Sequence, residues 1–571
     1  MAQRVIRKGA GRLWEQNIND NFTELFDRTS VSVMEFGAVG DWDGSTGTDD
    51  TDAINAALDW WGGASDRELV FPGGWYFYDG SVVVDGENSD GTWRKHNTIS
   101  MIGRIYHADP GEVTGNPVAW EIKNFENLRL RLRVDGGGKL GDFSSATVND
   151  GGTTFLQLHS VHWVPECYVE GMNYEGRLVH TTSKSVGAQY RVRNISMRLE
   201  TGNRPTTAPT DGTRAANGQP LYAENSTQTV SIGSWGKLER WRGEHSRYGI
   251  VFEDMTDITI GEIEVGLVTL SPALDLVGCT KANIGSFYSA DTDHAAMMPA
   301  LRLKDSATRG TYRVTIDSMH SDSGYGAIDY SGGDATFAGL KIGAFEANTH
   351  SGSVVLLSGV LSPVEINGIS VKNSPTAVET SGACGRVSLA FAHTSGMTGD
   401  VVKIGSTVDF LDISGAIGDT ASGFDVIDLG SSNNKVALHD LFVDADSADS
   451  IVNIGFGGSN RVRITDCVFE GSSSVFGAGR AEFIDGVRGC QTKSCGSATI
   501  SSGSTSITVT HGLDLTPQFV SVMSQHNETD AWNVTSVGAT QFTINVPSAV
   551  TANRTVWWSA EAVILRGDVG A

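Results

Sequence analysis

Apolar and polar residues alternate with a period of two in short runs that recur along the middle of this chain. GIVF begins at Gly249, ALDL at Ala273, ALRL at Ala300, AIDY at Ala327, VVLL at Val354, AVET at Ala377, VVKI at Val401, VIDL at Val426 and IVNI at Ile451, each 23 to 27 residues after the last. A second alternating run follows each one, such as TDITIGEIEV from Thr256, TKANIGSFYS from Thr280, SPVEINGISV from Ser362 and NKVALHDLFV from Asn434. Period two excludes helical repeats, whose apolar spacing is three to four. A repeat of this length marks a solenoid. Three short strands and three turns per repeat, stacked about 4.8 Å apart, predict a parallel β-helix in which each rung buries its inward residues against the next.

Other patterns flank the repeat. Trp14, Ile18, Phe22 and Leu25 share one face of a helix over 12–28, too short to stand alone, which predicts a neck packed against copies of itself or onto the adjoining solenoid. Ile54, Ala57, Leu58 and Trp61 share a face of a second helix, capped by Asp49, Asp50 or Thr51, and Leu69 to Phe71 read as a buried strand ended by Pro72. Together they predict a cover for the open first rung. Beyond Gly489 the period stops, and Val/Ile/Thr-rich runs separated by turn residues predict an antiparallel β-sandwich. The expected domains are a neck over 1–30, a capping region over 31–97, the β-helix over 98–489 and the sandwich over 490–571.

Charge narrows the partners. The formal net charge is −25 with no basic block, which disfavours nucleic acid, and the spread of acidic residues keeps a long particle soluble. The N-terminal residues lack the apolar core of a secretory signal, and no run approaches the roughly 18 apolar residues that cross a bilayer, so membrane insertion is not expected. Six scattered cysteines read as buried fillers, and only Cys490 and Cys495 are close enough in sequence for a local disulfide. Asp41, Asp43, Ser45 and Asp49 fail as a calcium loop, because Thr46 stands where a glycine is needed and no glutamate closes the loop. Neither a metal nor a cofactor is expected.

The capping region carries a family resemblance. F-G-A-V-G-D at Phe36 to Asp41, T-D-D-T-x-A-I-x-x-A at Thr48 to Ala57, and F-P-x-G-x-Y at Phe71 to Tyr76 resemble the N-terminal signature of the pectate-lyase-like β-helix superfamily as it occurs in bacteriophage tailspike depolymerases. The insert Trp42 to Gly47 departs from the shorter turn usual there. The resemblance implies a right-handed parallel β-helix and a homotrimer held in the virion by its N-terminus on a tail or baseplate protein. It further implies a partner, host capsule, exopolysaccharide or O-antigen, depolymerised by glycoside hydrolysis. A polysaccharide lyase and a non-catalytic receptor-binding fibre stand as alternatives on the same scaffold. The SITVTHGL…TP stretch resembles C-terminal modules of phage tail proteins that trimerise a spike or bind glycan.

No Walker loop, Gly-x-Ser-x-Gly elbow, His-Glu-x-x-His helix or Gly-His-Gly signature is present. Chemistry must therefore come from columns of residues one repeat apart. One outward column reads Glu264, Tyr288, His320, Glu346 and Ser370, with Asp291, Asp293, His294, Asp322, Asn348 and His350 in adjoining turns. It offers acid/base groups beside an aromatic surface for a sugar. Glu264 and Glu346 are three rungs apart, ~14 Å by strand spacing, so each would pair with Asp291, Asp293 or Asp322. For a lyase, His320 or Tyr288 would be the base. A rival cluster lies at 234–249, where Trp241, Arg242 and Tyr248, with Glu244 and His245, would line a groove for an anionic glycan or, for the aromatics, fill the interior.

Overall fold

The computed structural model describes residues 29–107, 118–135, 154–172, 177–182, 193–202, 219–224, 234–243, 249–266, 268, 271–290, 298–307, 309–333, 339–430, 434–453, 461–470, 474–476, 483–485, 493–513, 516–524 and 532–561. The expected neck helix, Asp291, Asp293, Tyr248, Glu244 and His245 lie outside them. The chain divides into two compact units, residues 1–289 with 306–309, and residues 290–305 with 310–571. Both are built on the parallel β-helix that the repeat predicts.

The first unit opens with the expected cover. Helix α1 (Thr51–Gly62) buries Ile54, Ala57, Leu58 and Trp61, the four residues its periodicity selects. Trp61 stacks on Phe125 at 5.1 Å and donates its indole N–H to the Thr98 carbonyl at 2.9 Å, fastening the helix to the rung beneath. Asp50 occupies the N-cap position, but its carboxylate accepts from the Val39 and Gly40 amides instead of the helix's own. Burial drives the Asp50 carboxyl up from its ordinary range against the pull of those two amides. The turn 41–48 is internally satisfied: Asp43 accepts from the Ser45 and Thr46 amides, and Asp41 from that of Thr48.

Six strands stack above this cover: β1 (Arg129–Asp135), β2 (His162–Met172), β3 (Arg193–Gly202), β4 (Ser234–Gly243), β5 (Thr256–Val265) and β6 (Thr280–Ala290). Each pairs in parallel with the next. A second parallel sheet stacks the shorter strands Val118–Lys123, Thr154–His159, Arg177–Thr182, Gln219–Glu224, Ile250–Glu253 and Leu274–Val277. The core is a set of columns. Leu130, Cys167, Met197, Leu238, Ile260 and Ile284 form one, and Leu132, Val169, Leu199, Trp241, Ile263 and Phe287 another; all are buried.

The rung differs from the three-strand expectation. What reads as a second and a third strand is a single long strand, 10 residues in β5 and 13 in Tyr312–Gly324 of the second unit. In β5 and β6 glycine stands at the bend: a Cβ on Gly261 would lie 2.4 Å from the Glu239 carbonyl oxygen, and one on Gly285 2.5 Å from that of Gly261. The chain turns the corner with its ladder intact because the backbones approach more closely than a side chain permits.

In the second unit, long strands Tyr312–Gly324, Leu340–His350, Val364–Lys372, Cys384–Ser395, Val408–Ile417 and Lys435–Asp444 repeat the arrangement. Its last described part contains two antiparallel sheets, Lys493–Ile500, Phe519–Ser524 and Arg554–Glu561, and Ser506–Thr510, Asn533–Thr535 and Gln541–Asn545. They share a core of Ile500, Val509, Phe542, Ile544, Val556 and Trp558. Cys167, Cys279, Cys384 and Cys467 are buried free thiols and Cys495 an exposed one; Cys490 lies outside the described residues.

Candidate functional site

The outward faces of β1 to β6 form two charged columns. One runs Arg131, Tyr168, Arg198, Arg240, Glu262, and the other Arg133, Glu170, Glu200, Arg242, Glu264, Tyr288, each residue in register with the next. The alternation that sends Leu130, Leu132 and Val134 inward leaves Arg129, Arg131 and Arg133 outward. Depressions lie over this face among the described residues, one of about 530 Å³ lined by Arg131, Glu166, Tyr168, Ser196, Arg198, Glu200 and Glu239.

Tyr168 is the hub. Its hydroxyl lies 3.0 Å from Glu200 Oε2 and 3.4 Å from Glu170 Oε2, so two carboxylates on adjacent rungs meet at one phenol. The Arg131 and Arg198 guanidiniums flank its ring at 5.8 and 5.6 Å. Burial, with the Glu200 carboxylate accepting its proton, pushes the Tyr168 phenol up to about 12. Glu170 is gripped by Arg133, with Nε at 2.9 Å and Nη2 at 3.3 Å, and by Arg104. For Glu200 partial burial acts upward, but Arg198 and Tyr168 outweigh it and hold the carboxyl below its usual range.

Glu264 and Arg242, both selected from sequence, belong to this face. Arg242 Nη2 lies 3.0 Å from Glu264 Oε1 and Arg240 Nη2 3.1 Å from Oε2. The Arg242 hydrogen bond, followed by that of Arg240, keeps Glu264 below the normal carboxylate range, so it is an ionised group and not a proton donor. Tyr288 stands on the next strand, 39 % exposed.

Trp241 corrects the sequence reading as a sugar platform. It is fully buried and donates its indole N–H to Thr201 Oγ1 at 3.3 Å. The cause is a one-residue irregularity: β3 and β4 shift register between Met197/Leu238 and Arg198/Arg240, leaving Glu239 as the extra residue. Such a bulge reverses the faces beyond it, turning Trp241 in and Arg240 and Arg242 out.

In the second unit His320 and Glu346 are brought together on neighbouring strands, with Nδ1 3.2 Å from Glu346 Oε2 and Nε2 3.1 Å from Asp322 Oδ2. His350 does not join them; it is buried, its Nε2 3.2 Å from the Ser321 carbonyl.

Two groups were not picked out as functional from the sequence. On the second sheet of the first unit, His180 Nε2 lies 3.1 Å from Glu224 Oε1, Tyr222 donates to Glu253 at 2.6 Å, and Arg177 covers the Tyr222 ring. In the second unit, Asp400 accepts from the Asp425 amide at 2.9 Å, and Asp428 sits on the same strand as Asp425. Burial, then the charges of Asp428 and Asp425, raises Asp400; burial, then Asp425, raises Asp428. Their partners come from rungs separated by unequal connections, so no fixed period shows which of these side chains converge.

Comparisons with known proteins follow the fold. No protein-family profile and no curated protein matches the chain. Among solved structures it is similar to the tailspike protein of E. coli bacteriophage HK620, a double mutant in complex with pentasaccharide, at 11% identity over 95% of this chain and 94% of that one, with a TM-score of 0.44. A second HK620 tailspike mutant, in complex with hexasaccharide, aligns at 12% identity over 95% and 94% with a TM-score of 0.41. The A-module of the Azotobacter vinelandii mannuronan C-5 epimerase AlgE6 aligns at 11% identity over 80% of this chain and 98% of its own, with a TM-score of 0.31. The parallel β-helix of this chain is defined by its own ladders.

Proposed function

We propose that this chain binds a host surface polysaccharide, whether capsule, exopolysaccharide or O-antigen, along the groove over β1 to β5, and depolymerises it by glycoside hydrolysis. The observation that supports binding is the groove itself. Its guanidiniums and carboxylates are fixed in pairs at rung spacing, and a tyrosine ring stands among them, which suits a polymer that offers a hydroxyl and an apolar sugar face at every residue. The wider reading follows the sequence resemblance: a homotrimeric spike of the virion, attached by its N-terminus to a tail or baseplate protein.

Hydrolysis requires one carboxyl able to stay protonated beside another that is ionised. The carboxylates of the groove are poor donors, since arginine holds Glu200 and Glu264 low. Asp400, which accepts from the Asp425 amide at 2.9 Å, and Asp428, on the same strand as Asp425, form a carboxylate cluster in which burial acts upward on both, and we assign the proton donor to this cluster. A long polymer presents many equivalent residues, so binding and cleavage need not share a subsite. His320 with Glu346 is the second candidate: the Glu346 carboxylate, 3.2 Å from Nδ1, would orient the imidazole, which would serve as the base of a lyase.

The test measures new reducing ends and absorbance near 235 nm on host polysaccharide, together with adsorption to host cells. Asp400→Asn or Asp428→Asn should lower cleavage about 10²-fold or more while leaving adsorption intact. His320→Ala and Glu346→Gln should do so only if the product is unsaturated. Wild-type cleavage in all four variants removes the catalytic assignments, and no cleavage by the unmodified chain leaves a receptor-binding fibre.

A further inference from the structure

We infer that the polysaccharide is acidic, and that Arg129 and Arg131 receive its carboxylate or phosphate groups. The inference rests on the binding reading above and adds the chemical class of the ligand.

The argument comes from which cations on this face are already neutralised. Arg104 and Arg133 share Glu170, Arg198 takes Glu200, and Arg240 and Arg242 take Glu262 and Glu264. Arg129 and Arg131 have no carboxylate within ion-pair distance among the described residues, although both are exposed and point outward from β1. Arg131 Cζ lies 5.8 Å from the Tyr168 ring centroid, a cation–π contact that orients the guanidinium. Arg129 is in register with Thr98 on one side and Glu166 on the other.

Residues two apart on a strand point the same way, roughly 6.5 Å apart, so the two forks can hold one anion or two neighbouring ones. The space is present. A depression of about 420 Å³ is lined by Arg129, Arg131, His96, Thr98 and Ser100, and it shares Arg131 and Glu166 with the larger one over Tyr168. Asp66 and Glu68 line the first depression as well, and Glu166 lines both. These carboxylates oppose an entering anion, and Glu166, directly across from Arg129, opposes it most.

A neutral sugar gives two exposed guanidinium forks no partner of matching shape, whereas a carboxylate or phosphate oxygen pair fits each of them. The overall charge of −25 strengthens the point, because an acidic polymer is repelled by most of this chain and needs unneutralised cations where it docks.

The experiment uses the full chain and a panel of bacterial surface polysaccharides: uronic-acid-bearing, phosphate-bearing and neutral. Each acidic binder is also tested after carboxyl reduction or dephosphorylation. The unmodified chain should bind acidic polymers, and removal of the charge should weaken binding about 10-fold or more. Arg129→Gln with Arg131→Gln should bring the intact polymer down to the level of its neutralised form, Arg131→Lys should retain part of the affinity, and Glu166→Gln should tighten binding. Which treatment abolishes the preference identifies carboxylate or phosphate as the recognised group. A neutral polymer bound as tightly as any acidic one, with the double variant unchanged, overturns the inference and leaves the binding reading standing. No binding to any polymer removes both. The positions are exposed, so an unaltered thermal melt confirms that the variants are folded.

Discussion

Trp241→Ala separates two roles that the same residue could fill, interior packing and sugar stacking. The indole lies in the column Leu132, Val169, Leu199, Trp241, Ile263 and Phe287 with none of its surface exposed. A tryptophan buries about 150–250 Å², which at about 25 cal/mol per Å² is about 4–6 kcal/mol of transfer free energy. Alanine keeps a small share of that, and the rungs above and below limit collapse of the cavity, which places the expected cost at about 3–5 kcal/mol. Loss of the indole donor also removes the partner of Thr201 Oγ1. For a cooperative block of 150–250 residues each kcal/mol moves the melting temperature by about 2–4 °C, so the transition of the first unit should fall by about 6–20 °C. Scanning calorimetry reads this directly, and Trp241→Phe should lose markedly less. An unchanged melt accompanied by lost polysaccharide binding would refute the reasoning, since it would mean that the ring faces the ligand.

Two further predictions concern pH and assembly. Asp400 and Asp428 have folded pKa values raised above their unfolded ones, so they contribute stability that is fully present below the unfolded value near 3.8 and is lost as pH rises through the folded values. Asp428→Asn should therefore raise the second unit's melting temperature at pH 7 and flatten its dependence on pH above 4; a variant with an unaltered pH profile excludes a perturbed carboxyl there. A homotrimer is expected in solution, and light scattering that returns a monomer mass removes the spike reading.

How much of this was legible in the sequence depended on whether a feature is local or periodic. Ile54, Ala57, Leu58 and Trp61 were readable because helix periodicity acts within four residues, and the rungs from Gly249 onward because their spacing is nearly constant. His320 and Glu346 were legible for the same reason, being one regular repeat apart on paired strands. The Glu170–Tyr168–Glu200 hub was not. The connections between β1, β2, β3 and β4 are long and unequal, so no fixed period brings Arg133, Glu170, Glu200 and Arg242 into one column. For Trp241 the sequence left groove and interior both open, because the bulge at Glu239 that turns it inward is a register detail that composition does not record.

The same geometry explains why the charged face can be both rigid and receptive. A parallel ladder fixes side chains at rung spacing, and every carboxylate at Glu170, Glu200 and Glu264 is held by at least one arginine on its own or a neighbouring rung. The more exposed pairs among them, at Glu200 and Glu264, contribute little to stability, on the order of 0–1 kcal/mol each, so their value lies in orientation. Side chains already held in place lose less conformational freedom when a polymer arrives, which reduces the ordering cost of binding. Arg129 and Arg131 lie at one end of these columns without such partners. The face thus presents an ordered array of donors and acceptors along most of its length and, at one end, two guanidiniums with no ion pair among the described residues beside the Asp66, Glu68 and Glu166 carboxylates, an asymmetry suited to setting the position of a charged repeating chain.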